Sequence, residues 1–279
     1  MRFIRSFVIA AAVAALAPLV AGCGKSRSFA DEQAIYRGLA SAAISLYGEI
    51  EPLRSSRLGI ASSDSLLFTY SAEEIDAAVK RLKRLEARFS RFPASRLPER
   101  DIEMATAVIH WLRGESFSLE SLKLHRSNPL LYSGIAREAL WAMPSRPEPP
   151  APGEIVAYRT RIRRIPSLFA NGGRHLRNPA EWHLRAAIES LDSLEATLDD
   201  CAALAEKRYG ASLANDFEEV RVSIRDFRQF AADVLLPVSH GKLILGSENL
   251  SKVLLYDEII NLDHNALVVE AEKRIIQCA

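Results

Sequence analysis

Apolar side chains recur at spacings of three and four residues along nearly all of this chain. The pattern is clearest after Ser71, which is followed three residues later by Glu74 in a capping box and then by one apolar helix face. No segment shows the strict alternation of apolar and polar residues typical of a half-buried strand. We therefore predict an all-α fold, a multi-helix array of about eight to ten helices with no sheet.

Helix-breaking residues give the expected boundaries of these helices. Gly114 is expected to stop the helix that contains residues 102–112. A helix over residues 154–176 contains Pro166, which predicts a kink. Pro179, suited to a first turn, opens the longest helix, which is predicted to run to Gly210.

A proline-rich segment divides the helical pattern into two regions. Five of the nine residues from Pro144 to Pro152 are proline, which favours a stiff spacer over a helix or a strand. The predicted organisation is a lipoprotein signal peptide at 1–22, an N-terminal helical subdomain at 23–143, a linker at 144–153 and a C-terminal helical subdomain at 154–279.

The N-terminus has the features of an export signal. Arg2 and Arg5 precede an apolar stretch, and small residues lead into Cys23. This order predicts cleavage before Cys23 and attachment of a diacylglycerol to its thiol, hence a lipid-anchored protein of the bacterial cell envelope with the membrane as a partner. The alternative is a transmembrane anchor, because residues 6–24 are uncharged and match the roughly 17 to 25 residues needed to span a bilayer.

The composition excludes some functions. Without residues 1–22 the chain has 34 basic and 35 acidic residues, which is not the basic excess of a nucleic-acid-binding module. Cys201 and Cys278 are the remaining cysteines. A disulfide between them is possible in an oxidising envelope, although packing of Cys201 on a helix face is the favoured interpretation.

The histidines form no recognisable metal motif. None is followed by glutamate, so the His-Glu-x-x-His helix is absent, and His175 and His183 are separated by the helix-breaking Pro179. The sequence also has no Gly-x-Ser-x-Gly elbow and no Walker-type phosphate loop. We predict no catalytic residue, no metal ligand and no cofactor in this chain.

Two short segments contain possible ligand-facing residues. Arg159 and Arg163 lie in a run of arginines that can hold a carboxylate or phosphate, although such runs are more often a solvated helix face. His240 and Lys242 lie in a segment that interrupts the helical pattern. His240 either lines a pocket or caps the preceding helix, whose C-terminal dipole favours a cation.

Four segments together carry a resemblance to a known family. They are "EPLRSSRLGI" at 51–60, "RSNPLLY" at 126–132, "YRTRIRRIPSLFANGGRHLRNP" at 158–179 and "LLPVSHGKLILGSENLSKVLLYDEI" at 235–259. In order and spacing, over about residues 30–277, the chain resembles the bacterial family catalogued as domain-of-unknown-function family 885. Ile244 and Leu250 depart from the family pattern, which usually has an arginine and an aromatic hydroxyl there.

The resemblance implies a relation to helical zinc metallopeptidases similar to carboxypeptidases, which are often secreted or lipid-anchored and commonly twice this length. In those proteins a His-Glu-x-x-Pro-Gly-His motif lies downstream of the last segment, beyond the last residue of this sequence. The resemblance therefore assigns no catalytic or metal residue here.

The resemblance leads to two functional hypotheses. The first is a non-catalytic, envelope-anchored binding or assembly module equivalent to the front half of such a peptidase. The alternative is one half of a split zinc-dependent peptidase whose catalytic half is a separate chain. The expected partner is that catalytic half or a second copy. The contact is expected on an apolar stripe over residues 263–277 that includes Leu267, Val268, Ala271 and Ile275.

Overall fold

The structure is a computed structural model that describes residues 29–93, 97–242, 245–261 and 264–278. The chain has two compact units, Met1–Arg37 and Gly38–Ala279. The described residues of the first unit are helical. In the second unit the regular structure of the described residues is helical apart from one isolated bridge between Ala180 and Gly241. The prediction of an all-α fold is confirmed.

Thirteen α-helices follow one another in the described residues, with the longest connections before α3 and α7. The first six are α1 (Phe29–Ile50), α2 (Pro52–Arg57), α3 (Ala72–Ser90), α4 (Glu99–Phe117), α5 (Leu124–Ser127) and α6 (Leu130–Trp141). After the proline-rich segment come α7 (Glu154–Ile162), α8 (Ile165–His175), α9 (Glu181–Ala196), α10 (Leu198–Tyr209), α11 (Ala214–Gln229), α12 (Ser247–Asp257) and α13 (His264–Cys278). Single π-helical segments, Ser118–Leu122 and Phe230–Leu235, extend α4 and α11.

The predicted capping box is present at the start of α3. The Glu74 backbone amide donates to Ser71 Oγ at 3.1 Å, and the Ser71 amide donates to the Glu74 carboxylate at 3.4 Å. These two bonds satisfy amides that have no partner within the helix, which fixes the first turn of α3.

One hydrophobic core draws residues from both sides of the proline-rich segment. At its centre Tyr158 is fully buried, and its hydroxyl donates to the Leu140 carbonyl at 2.8 Å. The Cys201 thiol lies 3.3 Å from the same carbonyl. Cys201 is a buried free cysteine on the inner face of α10, as the favoured interpretation predicted. Burial raises the pKa of Cys201 to about 12, so the thiol stays protonated at neutral pH.

Two predicted helices are each divided into two. Residues 154–176 form α7 and α8, and Pro166 lies in the first turn of α8, where a proline costs no hydrogen bond. The long helix begins only at Glu181 and divides at Thr197. The Thr197 hydroxyl donates to the Ser193 carbonyl at 3.1 Å, a local bond that competes with the helical backbone.

Gly114 does not end its helix, contrary to the prediction. α4 continues to Phe117, and Gly114 is buried inside it. A Cβ atom at this position would lie 3.0 Å from Asp257 Oδ1 and 3.3 Å from the Tyr256 Cβ atom. The glycine favours this close approach, because a side chain there would press on Tyr256 and Asp257 of α12.

Candidate functional site

The Glu115 carboxyl group, near the contact of α12 with α4, is within electrostatic range of two carboxylates from distant parts of the sequence. Glu51 lies between α1 and α2, Glu115 follows the close-contact residue Gly114, and Asp257 ends α12. The charges of Glu51 and Asp257 both act on the Glu115 carboxyl group. We call this set, Glu51, Glu115 and Asp257, the carboxylate junction.

Protonation at the carboxylate junction is shifted from its ordinary range. Burial, together with the negative charges of Glu51 and Asp257, raises the pKa of Glu115 to about 7, and the positive charge of Arg54 acts in the opposite direction. Burial is also the largest cause of the raised pKa of Glu51 and of Asp257. Near neutral pH the Glu115 carboxyl group therefore exchanges protons with solvent.

A cavity of about 290 Å³ opens beside Glu51. Arg54, Arg57, Tyr70 and Glu138 contribute to its wall, and Arg57 Nε lies 3.1 Å from Glu138 Oε1. Aliphatic side chains complete the wall. Tyr70 has φ of +58°, a left-handed conformation that is uncommon for a residue other than glycine. Charged groups, an apolar wall and a strained residue are typical of binding sites.

Sequence reasoning missed the carboxylate junction. One signal was available, because Glu51 is the first residue of the "EPLRSSRLGI" landmark. Glu115 and Asp257 have no comparable local pattern. Tertiary contacts bring them to the junction, and such contacts cannot be predicted from the spacing of residues in the sequence.

The arginine run is not the solvated helix face that its composition favours. Arg161 is fully buried, and Arg164 donates to the Leu67 carbonyl and to Glu74. Arg159 Nε and Arg163 Nε lie 3.1 and 2.6 Å from the two carboxylate oxygens of the buried Asp216. These two arginines line a surface depression of about 320 Å³, so their ligand-facing role stays a prediction.

The segment that contains His240 and Lys242 is held against the start of α9. The His240 backbone amide donates to Asn178 Oδ1 at 2.7 Å, and the Ser239 hydroxyl donates to the Pro179 carbonyl. Gly241 forms the isolated bridge with Ala180. His240 and Lys242 are exposed, and their ligand-facing role is likewise still a prediction.

Gly241 is predicted to be intolerant of any side chain. A Cβ atom there would lie 1.8 Å from the Asn178 carbonyl oxygen, which is backbone and cannot rotate away. We expect Gly241→Ala to release residues 239–242 from α9 and to lower the free energy of unfolding by about 1 to 3 kcal/mol. Urea unfolding measures the loss, and hydrogen exchange at the His240 amide measures the release. Gly134→Ala is the control, because no atom lies within 4 Å of its added Cβ. An unchanged exchange rate at His240 would contradict the prediction.

The other positions singled out in the sequence fall partly outside the described residues. Cys23 and Ile244 lie outside the described residues. Within the described residues, no group of three His, Cys, Asp or Glu side chains is placed to hold a metal ion. His175 packs edge-on against the buried His125 with ring centroids 5.5 Å apart, and burial lowers the pKa of His125 to about 4. No helix in the described part of the chain has the length and apolar character needed to cross a bilayer.

Helix α13 exposes large aliphatic side chains. The exposed fractions of Val268, Val269, Ile275 and Ile276 are 41%, 48%, 68% and 75%. Ala271, which belongs to the predicted stripe, is exposed as well, whereas Leu267 is outside the described side chains. α13 packs against α12, which has no fully buried residue of its own.

Comparison with known proteins shows the fold. The sequence matches no family model and no curated protein. Its fold is similar to that of a solved protein from Shewanella oneidensis described as a candidate lipoprotein of unknown function, with a TM-score of 0.59 and 14% sequence identity. The similarity covers 89% of this chain and 46% of the other, so this chain spans about half the length of that protein.

Proposed function

We propose that this chain is a lipoprotein of the bacterial cell envelope that acts as a binding or assembly module, and that a partner protein binds the exposed face of α13. The observation that carries the proposal is the exposure of Val268, Val269, Ile275 and Ile276 on one short helix. Large aliphatic groups gathered on a surface favour contact with another protein, since burying them removes apolar area from water.

The envelope location is supported by three features. The leader before Cys23 has the order of a lipoprotein signal. A protein of similar fold is itself described as a candidate lipoprotein. The resemblance to family 885 supports the same location, because its members are often secreted or lipid-anchored.

The carboxylate junction supports assembly beside α13. Asp257 ends α12, which packs against both α4 and α13. A partner that supplies a cation beside the exposed Asp257 would offset the negative charge of these acids. In this proposal aliphatic contacts on α13 give affinity, and the acids select a partner with basic residues.

The proposal predicts that α13 controls association. We expect the full-length chain, extracted from bacterial membranes with detergent, to sediment as a dimer or with a bound partner. Ile275→Asp combined with Ile276→Asp is expected to weaken association at least tenfold, because both side chains are largely exposed and would be buried in the complex.

Glu103→Gln is the control for the double variant. Glu103 is exposed on α4 and does not belong to the proposed contact helix, so its replacement should leave association unchanged. Both variants should keep the wild-type helical circular dichroism. A wild-type chain that is monomeric in detergent and in membranes would overturn the proposal, as would an association that the double variant leaves intact.

A second function is favoured by the half-length similarity. This chain matches 46% of the solved protein, and the family that it resembles has its zinc motif further downstream. Here the partner on α13 is a separate chain that supplies the zinc site. Mixing this chain with a product that contains His-Glu-x-x-Pro-Gly-His, encoded beside it, should then give chelator-sensitive peptide cleavage. Association without cleavage would retain the assembly function and exclude this one.

A further inference from the structure

An open groove of about 760 Å³ lies between α8 and α11. Its floor is aromatic: the ring centroids of Phe169 and Phe227 are 5.0 Å apart, and those of Phe227 and Phe230 are 6.4 Å apart. On the α8 side the wall is formed by Pro166, Ala170 and Gly173. Phe169 and Phe227 are buried and form the base of the groove, whereas Phe230 is partly exposed to solvent.

The α11 side of the groove is acidic. Glu218, Glu219 and Asp226 line it, and of the described lining residues none is basic. Between the acids lies Val222, which is 47% exposed. Because residues three and four apart share one helix face, these side chains form one continuous stripe along α11. The groove thus combines an apolar floor with negative charge along one rim.

The shape of the groove favours a helix over a small molecule. Pockets for small ligands enclose most of the ligand surface, whereas this groove is open along its length. α8 has 11 residues and extends about 16 Å, the length of about three helical turns. An amphipathic helix seated in such a groove places its apolar face on the floor and its charged flank beside the rim.

We propose that the groove between α8 and α11 binds an amphipathic helix of another protein, with aliphatic residues on its inner face and Lys or Arg on the flank beside Glu219 and Asp226. The charge of the rim specifies the charge of the partner, because an acidic helix would bring like charges together over an apolar surface. This surface is separate from α13, so it adds a second contact to the proposed assembly module.

A synthetic helix tests the inference directly. The probe is a fluorescent peptide of about 14 residues, made of leucine and lysine in helical spacing, with a leucine and glutamate peptide as its charge-reversed counterpart. We expect the full-length chain to bind the Leu/Lys peptide at least tenfold more tightly than the Leu/Glu peptide in anisotropy titrations. Hydrogen exchange should show protection on α8 and α11.

Variants distinguish binding in the groove from general electrostatic attraction between the peptide and the protein surface. Glu219→Lys with Asp226→Lys should weaken binding of the Leu/Lys peptide at least tenfold. Ala170→Phe should weaken both peptides by filling the groove, since Ala170 is exposed and its replacement leaves the core intact. The matched control is Asp200→Lys with Glu206→Lys, which removes two exposed acids from α10.

Three outcomes would overturn the inference. Equal binding of the two peptides would exclude charge selection. Equal losses in the α10 control and in the α11 variant would show general electrostatic attraction. Protection outside α8 and α11 would place the site elsewhere. None of these results depends on α13, so the inference and the proposed assembly function fail separately.

Discussion

Replacing Arg161 by methionine is expected to lower the free energy of unfolding by about 3 to 5 kcal/mol. The side chain is fully buried and lies on the core side of α7. Its Nε donates to the Leu66 carbonyl at 3.1 Å and its Nη2 donates to the Ser63 carbonyl at 2.8 Å. Methionine fills part of the volume but leaves both carbonyls without a donor, and each buried unpaired group costs about 1 to 3 kcal/mol.

Arg161 remains charged although it is buried. Burial lowers its pKa to about 10, which still leaves the guanidinium protonated at neutral pH. The negative charge of Asp64 favours the protonated guanidinium and so acts to raise the pKa of Arg161. Asp64 is itself held by Arg146, whose Nη2 lies 2.7 Å from Asp64 Oδ1. Loss of Arg161 therefore also removes a positive charge that favours the ionised form of Asp64.

Arg164 supplies the matched control for this prediction. It belongs to the same run and also donates to a backbone carbonyl, that of Leu67, but its side chain is 41% exposed. Water can replace its hydrogen bonds, so Arg164→Met should cost about 1 kcal/mol or less. Urea unfolding of both variants at pH 7 measures the difference. Equal losses in the two variants would show that burial of Arg161 is not what makes it important.

The contrast between these arginines explains how much of the fold could be predicted from the sequence. Apolar spacing and the Ser71 capping box predicted helices correctly because both signals depend on residues within one or two turns. The arginines donate to carbonyls of residues 63–67, which lie about a hundred positions earlier and form no long helix or strand. Their role depends on backbone carbonyls of this loop that accept hydrogen bonds from the arginines. No local sequence pattern identifies those carbonyls.

The same limit applies to the candidate site. Gly114 has the appearance of a helix stop in the sequence, yet it serves as a contact point for α12. Glu115 is next to Gly114 in the sequence, and Asp257 supplies one of the atoms that face Gly114. Once this contact is known, the proximity of Glu115 and Asp257 can be expected. The helix boundary and the carboxylate junction were therefore missed for one reason, the close approach of two helices that are far apart in the chain.

The raised pKa of Glu115 predicts that stability falls as the pH rises toward neutrality. In the unfolded chain the carboxyl group titrates near 4.5, and in the folded protein near 7. The folded state therefore binds the proton more tightly. Its contribution to stability is complete below about pH 4.5 and is lost progressively up to about pH 7. One pKa unit corresponds to about 1.4 kcal/mol, so the loss reaches at most about 3 kcal/mol.

Glu115→Gln isolates this effect. Glutamine has the shape of the protonated acid and does not titrate, so the variant should match the wild type near pH 5 and exceed it in stability by up to about 3 kcal/mol at pH 8. Asp257→Asn should give a smaller gain, because it removes one of the two negative charges that act on Glu115 and leaves burial unchanged. Urea unfolding at both pH values measures each difference.

The contrary result has a definite physical meaning. If wild type and Glu115→Gln show the same dependence on pH, water must reach Glu115 and its pKa must lie near the ordinary value. If only Glu115→Gln flattens the curve and Asp257→Asn does not, burial and the charge of Glu51 raise the pKa of Glu115, and α12 does not contribute its charge. A smaller gain in Asp257→Asn is therefore the result that ties the protonation of Glu115 to the docking of α12, and through α12 to the exposed face of α13.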